Sequence, residues 1–186
     1  LGTWLASVGR WDEALEHWTR TTQLSTDTEL AVLAWRNIGL MRWHKQHDAP
    51  AALAAYSSAL GGLQKICPPY LLGGWRLWLE RDTILAAGDR PDERLAAIES
   101  APDDVKSNPQ IIARWAEACL RAGRLEQAVD ILSRCSFKPW EGEQRARKLW
   151  KEAHTQCGHR AKDAGDLAKA REHFEAAASY PRLLNI

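Results

Sequence analysis

The strongest constraint on the fold is a spacing pattern that recurs along the chain and is clearest at residues 115–135, WAEACLRAGRLEQAVDILSRC. There an aromatic-small pair opens one helix, Gly123 ends it, and Ala128, Leu132 and Cys135 recur at helical spacing in a second helix. Each such hairpin has an apolar stripe wider than its partner helix can cover. The pattern therefore predicts a series of stacked helix-turn-helix units.

One anchor residue in each second helix marks the copies. The anchors are Ala14, Ala52, Arg94, Ala128 and Ala170, at intervals of 38, 42, 34 and 42 residues. They predict units at about residues 1–24, 25–60, 70–101, 108–137 and 141–180, which together form one repeat domain over residues 1–186. The chain starts inside a predicted helix and without Met, so we expect it to be part of a longer protein.

Glycines and prolines predict where the helices end. Turns are expected at Gly9, residues 46–50, residues 88–91, Gly123 and Gly165. Residues 61–74, GGLQKICPPYLLGG, are expected to form an irregular connection or a bent helix start, because paired glycines and Pro68-Pro69 do not continue a helix. Residues 102–109 are predicted to be a polar linker.

The first helix of the second unit is predicted in more detail. Ser25 or Thr26 is expected to cap it, with Glu29 three or four residues further on. Its predicted apolar side consists of Leu30, Leu33, Trp35, Ile38 and Met41.

These motifs resemble the tetratricopeptide repeat, whose pattern is W-x2-L-G-x2-Y, then Gly, A-x3-F, Ala and Pro. Trp35-Arg-Asn-Ile38-Gly39 matches the opening, and Gly165-Asp-Leu167 with Ala170-x3-Phe174 matches the second half. The resemblance implies an all-α, right-handed α-solenoid of about four to five hairpins, whose first helices line a concave groove. The chain is also similar in texture to tetratricopeptide regions of large bacterial multidomain proteins.

Small residues are expected where helices approach closely, at Gly39, Ala116, Ala128 and Ala170. The resemblance places twelve other side chains in the groove, where a partner would bind, and a solvated helix face is the alternative for each. They are Arg36, Leu40, Trp43, His44, Trp78, Asp82, Gln110, Glu117, Arg121, Thr155, His159 and Lys162. The paired Lys and Asn with which some members of the family hold a C-terminal carboxylate are missing.

Composition excludes several classes of function. The net charge is +1 without a Lys/Arg-rich block, so we expect neither nucleic acid nor a membrane as partner. No apolar run is long enough to span a membrane. Cys67, Cys119, Cys135 and Cys157 form no CxxC pair, which favours reduced, mostly buried thiols in a cytoplasmic protein. Ten Trp against two Phe are interpreted as core more than binding face.

Three groups of residues contain side chains that could bind a metal or take part in catalysis. His154-x2-Cys157-x-His159 does not converge on a metal, and a buried Cys with two surface His is the preferred interpretation. His44-x2-His47-Asp48 is interpreted as a polar helix end. Charged residues replace packing residues in the third unit and predict an ion-pair network, with a binding site as the alternative: Glu80, Arg81, Asp82, Arg90, Glu93 and Arg94. No metal, cofactor or catalytic residue is predicted.

The sequence thus predicts a protein-protein interaction scaffold, not an enzyme, which binds a partner peptide or helix in its groove. The alternative is an architectural or dimerising segment of a larger enzyme, for example a carbohydrate-related one, with no ligand of its own. An apolar, aromatic-bearing groove favours the first hypothesis. A polar groove with an apolar patch at one end favours the second. Single-stranded nucleic-acid binding ranks last because the basic stripe is missing.

Overall fold

A computed structural model describes residues 1–66, 74–134 and 143–179, with side chains from Arg145 onward in the last segment. The described residues form eleven α-helices and no β-strand, which confirms the all-α prediction. They belong to two compact units, Leu1–Ile84 and Leu85–Ile186. Cys67 and Cys135 lie outside the described residues.

The first unit contains two complete hairpins. Its helices are α1 (Gly2–Ser7), α2 (Trp11–Leu24), α3 (Thr28–His44), α4 (Ala49–Leu63) and the greater part of α5 (Trp75–Ala87). Helix α1 packs on α2, α2 on α3, and α3 on α4, so the second helix of the first hairpin also covers the second hairpin. Leu5, Ala14, Trp18, Ile38 and Met41 belong to the resulting core.

The second unit continues the same arrangement. Its helices are the end of α5, α6 (Pro91–Glu99), α7 (Asp103–Lys106), α8 (Pro109–Arg121), α9 (Leu125–Ser133), α10 (Glu143–Asp163) and α11 (Leu167–Ala178). Helix α6 packs on α8, α8 on α9, α9 on α10, and α10 on α11. The anchors Ala128 and Ala170 are buried, as the predicted close helix contacts require.

Close packing of glycine against an aromatic ring recurs in three hairpins. A Cβ atom would lie within 3 Å of a ring atom of Trp18 at Gly2, of Tyr56 at Gly39, and of Phe174 at Gly158. In each case the glycine is in the first helix and the ring is in the second. Glycine is therefore needed at these positions because any side chain would displace the ring.

Each described hairpin turn contains one residue with positive φ. Glycine takes this role at Gly9, Gly123 and Gly165, where φ lies between 72° and 82°. His47 and Asp89 take it in the other two turns, at φ values of 54° and 48°. The left-handed conformation is easiest for glycine and is tolerated by short polar residues, so the turn geometry persists where the sequence signal is weaker.

Two details of α3, the first helix of the predicted repeat at residues 25–60, differ from prediction. Asp27, not Ser25 or Thr26, caps α3: its Oδ1 accepts the N–H groups of Glu29 and Leu30 at 2.9 and 3.2 Å. The Ser25 hydroxyl instead donates to the backbone carbonyl of Asp27 at 3.1 Å, so it is not available for the helix. Leu30 is 51% exposed and does not belong to the apolar side.

The breaks predicted after the repeats at residues 25–60 and 70–101 are also partly wrong. Helix α4 continues through Gly61 and Gly62, where a Cβ at Gly62 would lie 2.6 Å from Cγ2 of Val32. Glycine here permits close approach of α3 and does not end the helix. Residues 67–73 lie outside the described residues. The predicted polar linker at residues 102–109 contains the short helix α7, because Val105 is buried.

Candidate functional site

The first unit contains an apolar cavity of about 290 Å³ among α1, α2 and α3. Residues of α3 at spacings of three and four place their side chains on its wall, and the predicted groove residues Leu40 and His44 are among them. The full lining is Thr3, Ala6, Trp11, Trp18, Asn37, Leu40, Met41, His44 and Lys45. The sequence predicted only residues of α3 for this site, and the structure adds the rings of Trp11 and Trp18 on α2.

The cavity, called here the α1–α3 cavity, has a buried floor and a charged rim. Met41 and Trp18 are buried, whereas Trp11 is 37% exposed at the rim. The Lys45 Nζ lies 4.5 Å from the centre of the Trp11 ring, a cation–π contact that orients the ring. This arrangement can accept an apolar side chain next to a positive charge.

Exposed apolar side chains are also present on α1 and directly after it, outside the cavity lining. Trp4 is 56% exposed and Val8 is 51% exposed. The interpretation of tryptophan as core is wrong for Trp4 and Trp11, because both rings are exposed to solvent. It is correct for Trp18 and Trp78, which are buried.

Arg36, predicted to line the groove, forms an ion pair between helices of the first unit. Its guanidinium donates to both carboxylate oxygens of Glu80 on α5, and the Tyr56 hydroxyl donates to Glu80 Oε2 at 3.1 Å. Burial, together with the Glu80 charge and hydrogen bond, raises the pKa of Tyr56 above its ordinary value. Glu80 therefore joins α3 and α4 to α5. This agrees with the ion-pair network predicted for the charged residues of the repeat at residues 70–101.

The second unit has a polar groove between α8 and α10. Its cavity of about 520 Å³ is lined by Glu117, Leu120, Arg121, Arg145, Lys148, Leu149 and Glu152. An adjoining cavity of about 230 Å³ shares Glu117 and Arg121 and is lined further by Ala86, Asp89, Arg90, Pro91, Arg94 and Arg114. We call the two together the α8–α10 groove.

Glu117 lies at the centre of this groove. Its Oε2 accepts hydrogen bonds from Arg94 at 3.0 Å and from Arg145 at 2.8 Å. Burial by itself raises the pKa of this carboxyl, but the hydrogen bond from Arg94 and the charges of Arg145, Arg94 and Arg114 outweigh it, so the pKa is lowered. Glu117 is thus an ionised carboxylate that holds two guanidinium groups in place.

Cations outnumber anions in the lining of the groove. The cations are Arg90, Arg94, Arg114, Arg121, Arg145 and Lys148, and the anions are Asp89, Glu117 and Glu152. Among the described lining residues, six positive and three negative groups leave an excess of three positive charges, which the pairing of Arg90 with Glu93 reduces to two, whereas the whole chain carries only +1. The near-neutral total therefore conceals a locally positive surface.

Some residues of the α8–α10 groove were predicted from the sequence, and others were not. Glu117 and Arg121 were predicted, and Gln110 is exposed at the start of the same helix. Arg145, Lys148 and Glu152 were missed, although they extend the predicted stripe of Thr155, His159 and Lys162 toward the start of α10 at spacings of three and four. The spacing was the signal that could have found them.

The other predicted groove residues are not brought together. Trp78 and Asp82 are buried, which does not fit contact with a partner. Trp43 and Thr155 are half-buried. Lys162 is exposed, and exposed His159 lies with its ring edge-on to Phe174 at 5.2 Å between centres.

Histidine and cysteine form no metal centre in the part of the chain that the structure describes, where no group of three or more potential ligands converges. His154 is buried, not at the surface as expected, and its Nδ1 lies 3.0 Å from Nδ1 of His173. Burial, and secondarily the charge of His173, lowers the pKa of His154. Cys119 and Cys157 are buried thiols, and burial raises the pKa of Cys119 to about 12.

In the second candidate ligand set, His44-x2-His47-Asp48, two residues shape the turn between α3 and α4. Asp48 accepts the N–H of Ala51 at 3.0 Å and caps α4. His47 holds the left-handed turn before it. Both roles are those of a polar helix end.

The fold is that of tetratricopeptide-repeat proteins. No family model matches the chain. Among solved structures it is similar to YrrB, a TPR protein with an unusual peptide-binding site. The identity is 16% and the TM-score is 0.57, with coverage of 95% of this chain and 80% of that one. A structure of MamA is similar at 10% identity and a TM-score of 0.57, covering 96% and 92% of the respective chains.

The chain is also similar to a structure of MamA from Desulfovibrio magneticus RS-1 that begins at residue 41. The identity is 15% and the TM-score is 0.52, with coverage of 100% of this chain and 93% of that one. At these identities the likeness is one of fold. Within the described residues, no helix is both long and apolar enough to cross a bilayer.

Proposed function

We propose that this protein is a non-enzymatic interaction scaffold that binds a peptide or helix of a partner protein, and that the α1–α3 cavity holds an apolar anchor residue of that partner. The supporting observation is the cavity itself, in which Leu40, Trp18 and Trp11 surround an apolar space of about 290 Å³. Apolar pockets with few polar groups are common sites for anchor side chains at interfaces. The buried thiols Cys119 and Cys157 support a cytoplasmic setting.

The test is selection of peptides on the chain from a displayed random library, followed by affinity measurement with the variant Leu40→Glu. A charge in the cavity wall should weaken peptides with an apolar anchor at least about tenfold, because the anchor would have to displace a hydrated carboxylate. The matched control is Leu30→Glu, an exposed leucine on the same helix that does not line the cavity.

Two results would contradict the proposal. One is a selection that yields no peptide binding specifically to the folded chain. The other is binding that Leu40→Glu and Leu30→Glu leave equally strong while circular dichroism shows both variants folded.

A second candidate function, an architectural or dimerising segment, is favoured by the exposed apolar residues on α1 and directly after it. Trp4 lies in α1 and Val8 directly after its last residue, Ser7, and both are more than half exposed. A self-association surface of this kind would shift the molar mass measured by light scattering to that of a dimer, and Trp4→Glu would restore the monomer. A monomer at all concentrations removes the homodimer form of this candidate.

A further inference from the structure

We infer that the α8–α10 groove recognises an acidic segment of a protein partner, one in which carboxylate side chains alternate with apolar ones. This goes beyond the anchor site of the first unit and shares with it only the premise that the partner is a protein. The groove lies wholly within the second unit, on α6, α8 and α10, the turn before α6 and the last residues of α5.

Two cations of the groove, Arg121 and Lys148, are not neutralised by any described residue. Glu117 is shared between Arg94 and Arg145, so one carboxylate serves two guanidinium groups. Arg121 and Lys148 are exposed, and among the described residues no hydrogen bond or ion pair engages either. A partner carboxylate can therefore gain charge-assisted hydrogen bonds without first breaking one.

The spacing of the cations suits a series of carboxylates better than a single one. Arg145 and Lys148 are three residues apart on α10, about 5 Å along the helix axis, and Arg114 and Arg121 are two turns apart on α8. Carboxylates one turn apart on a helix or on alternate residues of an extended segment, about 5 to 7 Å apart, match the first spacing, and carboxylates two helical turns apart match the second. A row of acidic side chains can thus meet successive cations.

The floor of the groove specifies the intervening residues. Leu120 and Leu149 line the larger cavity, and both are buried, so they present an apolar base beneath the charged walls. A segment composed only of acidic residues would make no apolar contact with the exposed edge of this base. An apolar side chain between two carboxylates would make that contact.

The same lining disfavours a nucleic acid. Asp89, Glu117 and Glu152 stand among the cations and would repel a continuous row of phosphates. Among the lining residues that the structure describes there is no aromatic ring on which a base could stack. Discrete carboxylates on a flexible segment can avoid the three anions, so we assign the groove to an acidic peptide.

The experiment uses the whole chain in the same peptide selection, and scores the charge of the selected sequences. Peptides directed to this groove should be enriched in Asp and Glu, and Lys148→Glu should weaken them about tenfold, since the reversal removes an attraction and adds a repulsion. The control is Lys169→Glu, the same change at an exposed lysine on α11 outside the groove, which should change affinity less than about twofold.

Salt and competitor give independent readouts. Raising the salt concentration should weaken the acidic peptides more than peptides that depend on Leu40. The inference is overturned if no selected peptide is acidic, if Lys148→Glu and Lys169→Glu act alike, or if a single-stranded oligonucleotide binds more tightly than every acidic peptide. Peptides sensitive to Leu40→Glu but not to Lys148→Glu would leave the anchor site intact and reject this groove.

Discussion

Identical residue types have opposite roles at different places in this chain, and the glycines show it most clearly. A Cβ at Gly39 would lie 2.8 Å from Cε2 of Tyr56, whereas a Cβ at Gly61 would meet nothing within 4 Å. Both residues are helical, in α3 and α4 of the same unit. The first glycine is required by packing, and the second only weakens its helix.

Gly39→Ala should therefore destabilise the protein by about 1 to 2 kcal/mol, because the Tyr56 ring has to move out of a packed position. Gly61→Ala should stabilise it by about 0.5 to 1 kcal/mol through the higher helix propensity of alanine. Urea unfolding of the two variants measures the difference. Equal effects of the same sign would show that the close contact at Gly39 has no energetic consequence.

At the scale of elements, an ion pair connects two helices, α6 and α8, at a position where the other repeats use an apolar residue. Arg94 on α6 occupies the anchor position held by alanine in the other four units, and its side chain is 5% exposed. Its guanidinium donates to Glu117 on α8 at 3.0 Å. The helices α6 and α8 are thus connected through a nearly buried ion pair, and loss of Arg94 leaves the half-buried Glu117 carboxylate paired with Arg145 alone of these two arginines and empties a packed position.

Arg94→Ala should cost about 2 to 3 kcal/mol of unfolding free energy, even though alanine is the residue used by the other units. Arg90→Ala removes an exposed pair with Glu93, three residues away in sequence, and should cost less than about 0.5 kcal/mol. Chemical denaturation of both variants provides the comparison. A neutral or stabilising Arg94→Ala would show that the position accepts the standard repeat packing.

The contact between α10 and α11 contains a buried histidine. His154 packs against the Trp150 ring at 4.3 Å between centres and against His173, and Trp150 Nε1 donates to the carbonyl of Ala176 at 2.9 Å. The pKa of His154 is lowered from its ordinary value of 6.5, so the folded state favours the neutral ring. Its contribution to stability is present above pH 6.5 and is lost as the pH falls.

Thermal unfolding at several pH values between about 7 and 5 should accordingly show a falling Tm, and His154→Leu should make that fall shallower, because the unfolded chain no longer gains a proton there. His159→Gln, a change at an exposed histidine, is the control and should keep the original slope. An unchanged slope in His154→Leu would assign the pH dependence to other groups.

At the largest scale, stability within each compact unit comes from stacking one hairpin on the next. Ala128 is fully buried in α9, and α9 contacts both α8 and α10. An array of this kind transmits a local defect to the neighbouring hairpins, because each covers the apolar face of the next.

Ala128→Asp should destabilise the protein by about 3 to 5 kcal/mol, since it places an unpaired charge in a close helix contact. Leu167→Asp adds the same group at an exposed position in the first turn of α11 and should be nearly neutral. Far-ultraviolet circular dichroism of the parent chain should be predominantly helical. A β-rich spectrum, or a harmless Ala128→Asp, would contradict the fold.

Local periodicity accounts for most of what could be predicted. The anchors, the turns at Gly9, Gly123 and Gly165, and the order of hairpins follow from spacings within one helix pair, and the structure places them as expected. Helix α4 running through Gly61 was not predictable in this way, because the helix persists where Gly62 packs against Val32 of another helix. The same holds for Val105, whose burial forms α7.

The clearest repeat, at residues 115–135, shows where this division lies. Its hydrophobic spacing determined that the chain is a series of helical hairpins, because such a pattern has only one way to bury its apolar stripes. Only tertiary structure decided that Glu117 pairs with Arg94 and Arg145 from two other helices, and that Arg121 stays exposed beside them. Those partners are more than twenty residues away in sequence, and charges on a helix surface carry no signal of what will pack opposite them.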